Sequence, residues 1–241
     1  MNVLGVIPVR LDSTRLPRKA LLKIQGIPAI VHTYMRAKET KLLSTVVVAT
    51  DSDEIIDTCD KYGVVTVKTG VHANGTNRIY EVIKGRPPCD IVVNIQGDEV
   101  LVSPDHIDTI VRAAIQDNNG VTIGVTDLKE TDNPNRIKAI MDKYMSIKHM
   151  SRVDMPMAMR SVFIIAFQRI YIDIFNYLPQ SDLCRAENNE FMKLLYNAID
   201  IKGVYIKGAH SSLDTREDFL ILSELMQKDE LFKSYAGLSR V

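Results

Sequence analysis

Residues 6–21 read VIPVRLDSTRLPRKAL. An apolar strand, Val3 to Pro8, runs straight into Arg10, Arg15, Arg18 and Lys19, with Pro17 between them. A loop cannot bury four separate cations, because each is costly to desolvate without a counter-charge. They face either water or an anion, and a solvated basic loop is common. The position favours an anion. In open α/β sheets, ligands gather beyond the carboxyl ends of strands, where backbone N–H groups and helix starts meet phosphates. The N–H groups of residues 12–15 can join Arg10 and Lys19 around triphosphate oxygens. This is not a Walker loop, since GxxxxGK[ST] is missing and no glycine lies between Gly5 and Gly26.

Outward from this loop the pattern alternates. Pro28–Lys38 has helical spacing, with Ile30, Val31, Tyr34 and Ala37 on one face. Thr45–Thr50 reads as a strand, followed by a helix capped by Asp51 or Ser52 and stopped at Gly63. Val64–Lys68 is β-prone, and a helix is expected near Asn77–Lys84, after an Asn-Gly turn capped by Thr76. Ile91–Ile95 reads as a buried strand. Ser103 and Pro104 then open a helix with a stripe of Ile107, Ile110, Val111 and Ala114. Beyond residue 120, strands are expected at Val121–Thr126, Arg136–Met141, Val162–Phe167 and Ile201–Ile206. Helices are expected at Ile170–Tyr177, Glu187–Ala198 and Thr215–Gln227. Short apolar strands alternating with amphipathic helices imply an α/β fold: a mixed, mostly parallel sheet with helices on both faces and a small subdomain.

Composition narrows the function. The chain has 241 residues, 30 Lys+Arg against 30 Asp+Glu, and 46% apolar residues. That is enough for one large domain. Zero net charge and few aromatics argue against a nucleic-acid binder. No apolar run is long enough to span a membrane, and no secretory leader is expected at the start. Cys59, Cys89 and Cys184 are far apart and have no CxxC spacing, so reduced thiols and a cytoplasmic location are expected. The five histidines are scattered and read as surface or turn residues.

Two acidic positions stand out. NIQGDE (residues 94–99) ends a buried strand with Asp98 and Glu99 at the expected ligand edge, opposite the cationic loop. A lone Asp there is often a turn residue. Triphosphate chemistry, however, calls for Mg²⁺, which takes one or two carboxylates plus phosphate and water oxygens. Asp98 is thus a candidate metal ligand, and Gly97 allows a tight turn. In SSLDTREDF (residues 211–219), Asp214 precedes a helix. On its residues alone, this segment reads first as a helix cap.

Several segments in one order resemble the sugar-activating cytidylyltransferases, most closely the 3-deoxy-manno-octulosonate cytidylyltransferase family. The opening resembles PARxxSxRLPxKPL. HANGTNRIYEV resembles SGTDRIAEV, DIVVNIQGDEVLVSP resembles DIVVNVQGDEPLI, and NPNRIKAIMD and SLDTREDF resemble DPNVVKVV and VDTPEDL. The resemblance is near-continuous over residues 1–112 and patchy afterwards. It implies a single Rossmann-like nucleotide-diphospho-sugar transferase domain, 1–241, with a nucleotide-binding half (1–120) and an acceptor-binding and dimerisation half (121–241). It implies transfer of CMP from CTP to a KDO-like sugar acid with release of pyrophosphate, for surface polysaccharide synthesis, in a homodimer. By the same resemblance, Pro8, Arg10, Ser13, Arg15, Lys19, Gly75, Thr76 and Arg78 meet the nucleotide. Gln96, Arg152, Glu190 and Lys193 meet the sugar, and Asp98 and Asp214 hold Mg²⁺. Arg10, Lys19 and Asp98 are the catalytic candidates. Asp218 reads as a first-turn acid of the last helix expected.

The acceptor side departs from the pattern. MSRVDMPMAMRSVFIIAFQR (residues 150–169) passes from Ser151-Arg152 almost directly into a strand, where the family has a longer loop. The family's His, Gly, Tyr and Arg align with Ser161, Phe163, Ile165 and Gln168. Its Gln and Arg become Phe191 and Lys193, and the Gly of LPGK is Arg18. A different sugar or nucleotide, or a nucleotide-binding regulatory protein without catalysis, are the alternatives these changes raise. The run SVFIIAF reads as a core strand or a dimer contact.

Overall fold

The computed structural model describes residues 1–13, 15–116, 120–129 and 132–240; Thr14, within the cationic loop, lies outside them. The first half comprises β1 (Val3–Pro8), β2 (Lys23–Ile24), β3 (Ile27–Pro28), α1 (Ala29–Lys38), β4 (Thr45–Thr50), α2 (Asp53–Lys61), β5 (Thr66–Lys68), α3 (Gly75–Lys84), β6 (Ile91–Ile95) and α4 (Pro104–Gln116). The second comprises β7 (Val121–Thr126), β8 (Lys138–Met141), β9 (Ile147–Ser151), β10 (Met159–Gln168), α5 (Arg169–Tyr177), α6 (Asp182–Glu187), α7 (Met192–Tyr196), β11 (Ile201–Tyr205), α8 (Arg216–Gln227) and α9 (Glu230–Tyr235).

Among the described residues, nine strands form one sheet in the order β11-β7-β10-β6-β1-β4-β5, with β8 attached to β10 and β9 to β8, while β2 and β3 form a separate ribbon. β1 runs parallel to both β4 and β6, and β10 runs antiparallel between β6 and β7. The two-residue period of a strand sorts β1 between two cores. Val3 and Ile7 pack with Ile30, Tyr34, Ile107 and Ile110, beneath α1 and α4. Leu4 and Val6 pack with Ile79, Ile83, Ile172 and Phe175, beneath α3 and α5. With both faces covered, the central strands carry continuous apolar runs. SVFIIAF is therefore a core strand.

Several expectations change on folding. Glu187–Ala198 is not one helix: α6 stops where Asn188 takes a left-handed φ of 44°, and α7 starts afresh. Asn tolerates that conformation better than most residues. Asn74, not Thr76, caps α3 by accepting the Asn77 N–H at 2.8 Å. β9 and α9 were not anticipated. His32 is core rather than surface. Its ring nitrogens meet Ile24 O at 2.9 Å and Tyr235 Oη at 3.1 Å, and burial lowers its pKa to about 4. No helix among the described residues is long and apolar enough to cross a membrane.

Candidate active site

Helical crossovers lead from β1 towards β4 and β5 on one side, and the chain then returns to β6 on the other. Loops leaving β1 and β6 consequently diverge and leave a crevice. A cavity of about 410 Å³ opens there, lined by Arg10, Gly75, Gln96 and Asp98 from the first half and by Arg152 and Asp214 from the second. A smaller one, of about 240 Å³, shares Arg10, Arg15 and Asp98 and adds Ser13 and Lys19.

The charges meet at Lys19. Its ammonium ion-pairs with Asp98 Oδ2 and lies 3.2 Å from Asp214 Oδ1. Burial works against the charged lysine, but the two carboxylates outweigh it and raise the pKa. Arg15 Nη2 donates to Asp214 Oδ1 at 2.8 Å, and Ser212 Oγ donates to Asp214 Oδ2 at 3.0 Å. For Asp214, burial favours the neutral acid, yet Lys19 and Arg15 prevail and hold the pKa below the usual carboxylate value. Backbone pairing brings the two acidic segments together, because Leu213 N–H donates to Asp98 O at 2.9 Å. The capping reading of Asp214 is corrected: Thr215 is the N-cap of α8, and Asp218 completes a reciprocal capping box. Asp218 also pairs with buried Arg136 at 2.5 Å. Asp98 and Asp214 are the carboxylates that could hold a metal ion. No group of three or more acids, histidines or cysteines with metal-binding geometry occurs among the described residues. Two hard oxygen donors facing a cavity suit Mg²⁺, whose other positions go to phosphate and water.

Pro8 and Gly75 both line the cleft and pack closely together; a Cβ on Gly75 would stand 3.2 Å from Pro8 Cγ. Thr76 is fully buried and presents its backbone N–H to Glu190 at 3.3 Å. Arg78 borders the cavity, but its guanidinium is committed to Asp51 at 3.1 Å and to Thr69 and Gly70. It braces the ends of β4 and β5. Arg18 has a φ of 56°, so the LPRK substitution puts a side chain where the backbone favours glycine, and its guanidinium pairs with Glu54. His72, expected at the surface, lines the cleft and pairs with Glu81.

Among the residues expected to meet the acceptor, Gln96 donates through Nε2 to Asn94 Oδ1 at 3.3 Å, and its backbone N–H meets Phe163 O at 3.3 Å beside the β10 bulge. Arg152 lines the cavity; Nη1 donates to Pro134 O at 2.8 Å and Nη2 to Asn188 O at 3.2 Å. Burial pushes the pKa of Glu190 up to about 7, against the hydrogen bond from Thr76. Lys193 is placed differently from its expected sugar contact. It is buried behind the wall, with Nζ 4.5 Å from the Phe175 ring centroid, because the turn at Asn188 rotates α7. Phe163 and Phe191 line the cavity with ring centroids 6.0 Å apart. Sequence reasoning passed over Asn135, which accepts from Arg15 Nη1 at 2.5 Å, as well as Arg136 and Ser212. The polar run NPNRIK was the available signal.

A family model described as cytidylyltransferase matches residues 4–231. The chain belongs to the cytidylyltransferase family. It is 33% identical to the 3-deoxy-manno-octulosonate cytidylyltransferase of Chloroherpeton thalassium over 95% of this chain and 99% of that one. The protein of the same name from Lawsonia intracellularis is 34% identical over 92% and 93%. The solved CMP:2-keto-3-deoxy-manno-octonic acid synthetase complexed with CTP superposes with a TM-score of 0.88 at 28% identity, covering 95% of this chain and 99% of that one. A cytidylyltransferase from Leptospira borgpetersenii shares the fold, with a TM-score of 0.68 at 20% identity over 99% and 92%. In this cytidylyltransferase the cleft combines the charged cluster around Lys19 with a wall that includes the rings of Phe163 and Phe191.

Proposed function

We propose that the protein joins CTP to a 3-deoxy-2-ulosonic sugar acid of the KDO type, giving the CMP-sugar and pyrophosphate. The observation that carries this reading is the meeting of Lys19 with Asp98 and Asp214 at the switch point, flanked by Arg10 and Arg15. Such a cluster suits a substrate with several negative charges whose reacting phosphorus must be positioned. A sugar hydroxyl attacks the α-phosphorus in line. Arg10, Arg15 and Lys19 receive charge developing on the departing pyrophosphate, and Ser13 borders the same end. Gly75 and Pro8 narrow the nucleotide end, and Gln96, Arg152 and Glu190 face the sugar acid. Mg²⁺ held by Asp98 and Asp214 would polarise the α-phosphate and lower the pKa of the attacking hydroxyl. No protein nucleophile is needed. The sugar feeds surface polysaccharide synthesis and the enzyme works as a homodimer; its three buried free thiols are in keeping with a cytoplasmic location.

The test is incubation with CTP, Mg²⁺ and a panel of sugar acids, following pyrophosphate. Release that depends on KDO or a close analogue is the expected result. Absence of pyrophosphate with every acceptor, together with no CTP binding, refutes the reading.

A further inference from the structure

Lys138 on β8 is among the largest fully buried side chains of the described residues, with 0% exposure. Its Nζ donates to Asn133 O at 2.7 Å and Arg152 O at 2.7 Å, and pairs with Asp154 Oδ1 at 2.9 Å. Asp154 in turn accepts the Asp132 N–H through Oδ2 at 2.5 Å. One buried charge thus joins the segment before β8 to the loop between β9 and β10. These segments carry two cleft residues: Asn135, bonded to Arg15, and Arg152, whose Nη1 returns to Pro134 O. An ammonium is costly to desolvate, and an apolar side chain of similar length would fill the same space. The charge adds a defined distance between two loops that have no β-ladder of their own.

We propose that Lys138 is a positioning residue for the acceptor end of the cleft. Its ammonium holds the Arg152 carbonyl and so sets the place of Arg152, and through it the affinity for an anionic sugar acid, without touching substrate. The β9–β10 loop depends on this clamp, because Arg152 and Asp154 are held at its very start. The inference rests on the sugar-acid reading above.

The experiment compares wild type, Lys138→Met and Asp154→Asn in steady-state kinetics with CTP, KDO and Mg²⁺, and in hydrogen exchange. In Lys138→Met, the KM for the sugar acid is expected to rise on the order of 10–100-fold. The KM for CTP should stay within about threefold of wild type. Amides of residues 132–136 and 151–155 should exchange faster while those of β1 and β6 keep their protection. Asp154→Asn should show the same signature more weakly, and it decides the matter if Lys138→Met fails to fold. Equal changes in both KM values with exchange raised throughout the sheet, or an unchanged sugar-acid KM in both variants, overturn the inference alone. A wild-type protein that forms no pyrophosphate with the sugar acid overturns the functional reading and, with it, this inference.

Discussion

Asp214→Asn separates the role of this carboxylate in catalysis from its role in folding. At neutral pH the group accepts from Arg15 at 2.8 Å and Ser212 at 3.0 Å, with Lys19 at 3.2 Å and Arg136 at 3.5 Å. Breaking a buried ion pair that leaves one charge stranded costs about 3–5 kcal/mol. Here no cation is stranded: Lys19 retains Asp98, Arg136 retains Asp218 and Arg15 retains Asn135. Arg15 is also 46% exposed, so its share is screened. The loss of stability should therefore be smaller, about 1–2 kcal/mol. Turnover should fall much further, on the order of 10³-fold, because charge stabilisation at the reacting phosphate is lost. That fall corresponds to about 4 kcal/mol on the barrier. Urea denaturation followed by circular dichroism gives the first quantity, and pyrophosphate release at saturating CTP gives the second.

The pH dependence adds a further check on the same variant. The folded pKa of Asp214 is depressed, so its stabilisation is complete above the unfolded carboxylate value and is lost as pH falls through the folded value. The stability gap between wild type and Asp214→Asn should be present at pH 7 and shrink in acid, below the ordinary aspartate value of 3.8. Turnover within about tenfold of wild type, accompanied by destabilisation above about 4 kcal/mol, would show a structural carboxylate and refute the reasoning.

Two further predictions concern the cleft walls. The folded pKa of Glu190 is raised to about 7, so between the ordinary glutamate value of 4.5 and that point the folded state binds the extra proton. Wild-type stability should therefore fall as pH rises through this window, by at most about 1.4 kcal/mol per pH unit. Glu190→Gln should lack that slope, and denaturation at pH 5 and pH 8 measures the difference; parallel curves would sink the assignment. Gly75→Val places a branched side chain where even a lone Cβ would stand 3.2 Å from Pro8 Cγ and 3.6 Å from Gln96 Nε2. CTP affinity measured by calorimetry should drop about tenfold or more, and unchanged affinity would place the nucleotide elsewhere.

Much of the fold could be read locally. β1, β4, β6 and β7 occupy the spans expected of them, since uninterrupted apolar runs bounded by turn residues suit strands covered on both faces. The cationic loop and Asp98 were readable for the same reason: each directly follows such a strand. The second half was harder. Glu187–Ala198 has an adequate helical pattern, but Asn188 turns left-handed and carries Lys193 behind the cleft wall. Lys138 resembled any polar position on an edge strand until two loops closed over it.

By itself, the sequence determined the alternation of strands and helices, the basic loop after the first strand and the acidic turn after β6. Those features depend on neighbours a few residues apart, where backbone period and turn chemistry act. Only the tertiary structure decided that Asp214 faces Lys19 rather than capping α8, that Arg78 braces the sheet, and that a buried ammonium fastens the loops around Arg152. Each of these depends on strand order and on bonds such as Leu213 N–H to Asp98 O, between segments that no local pattern links.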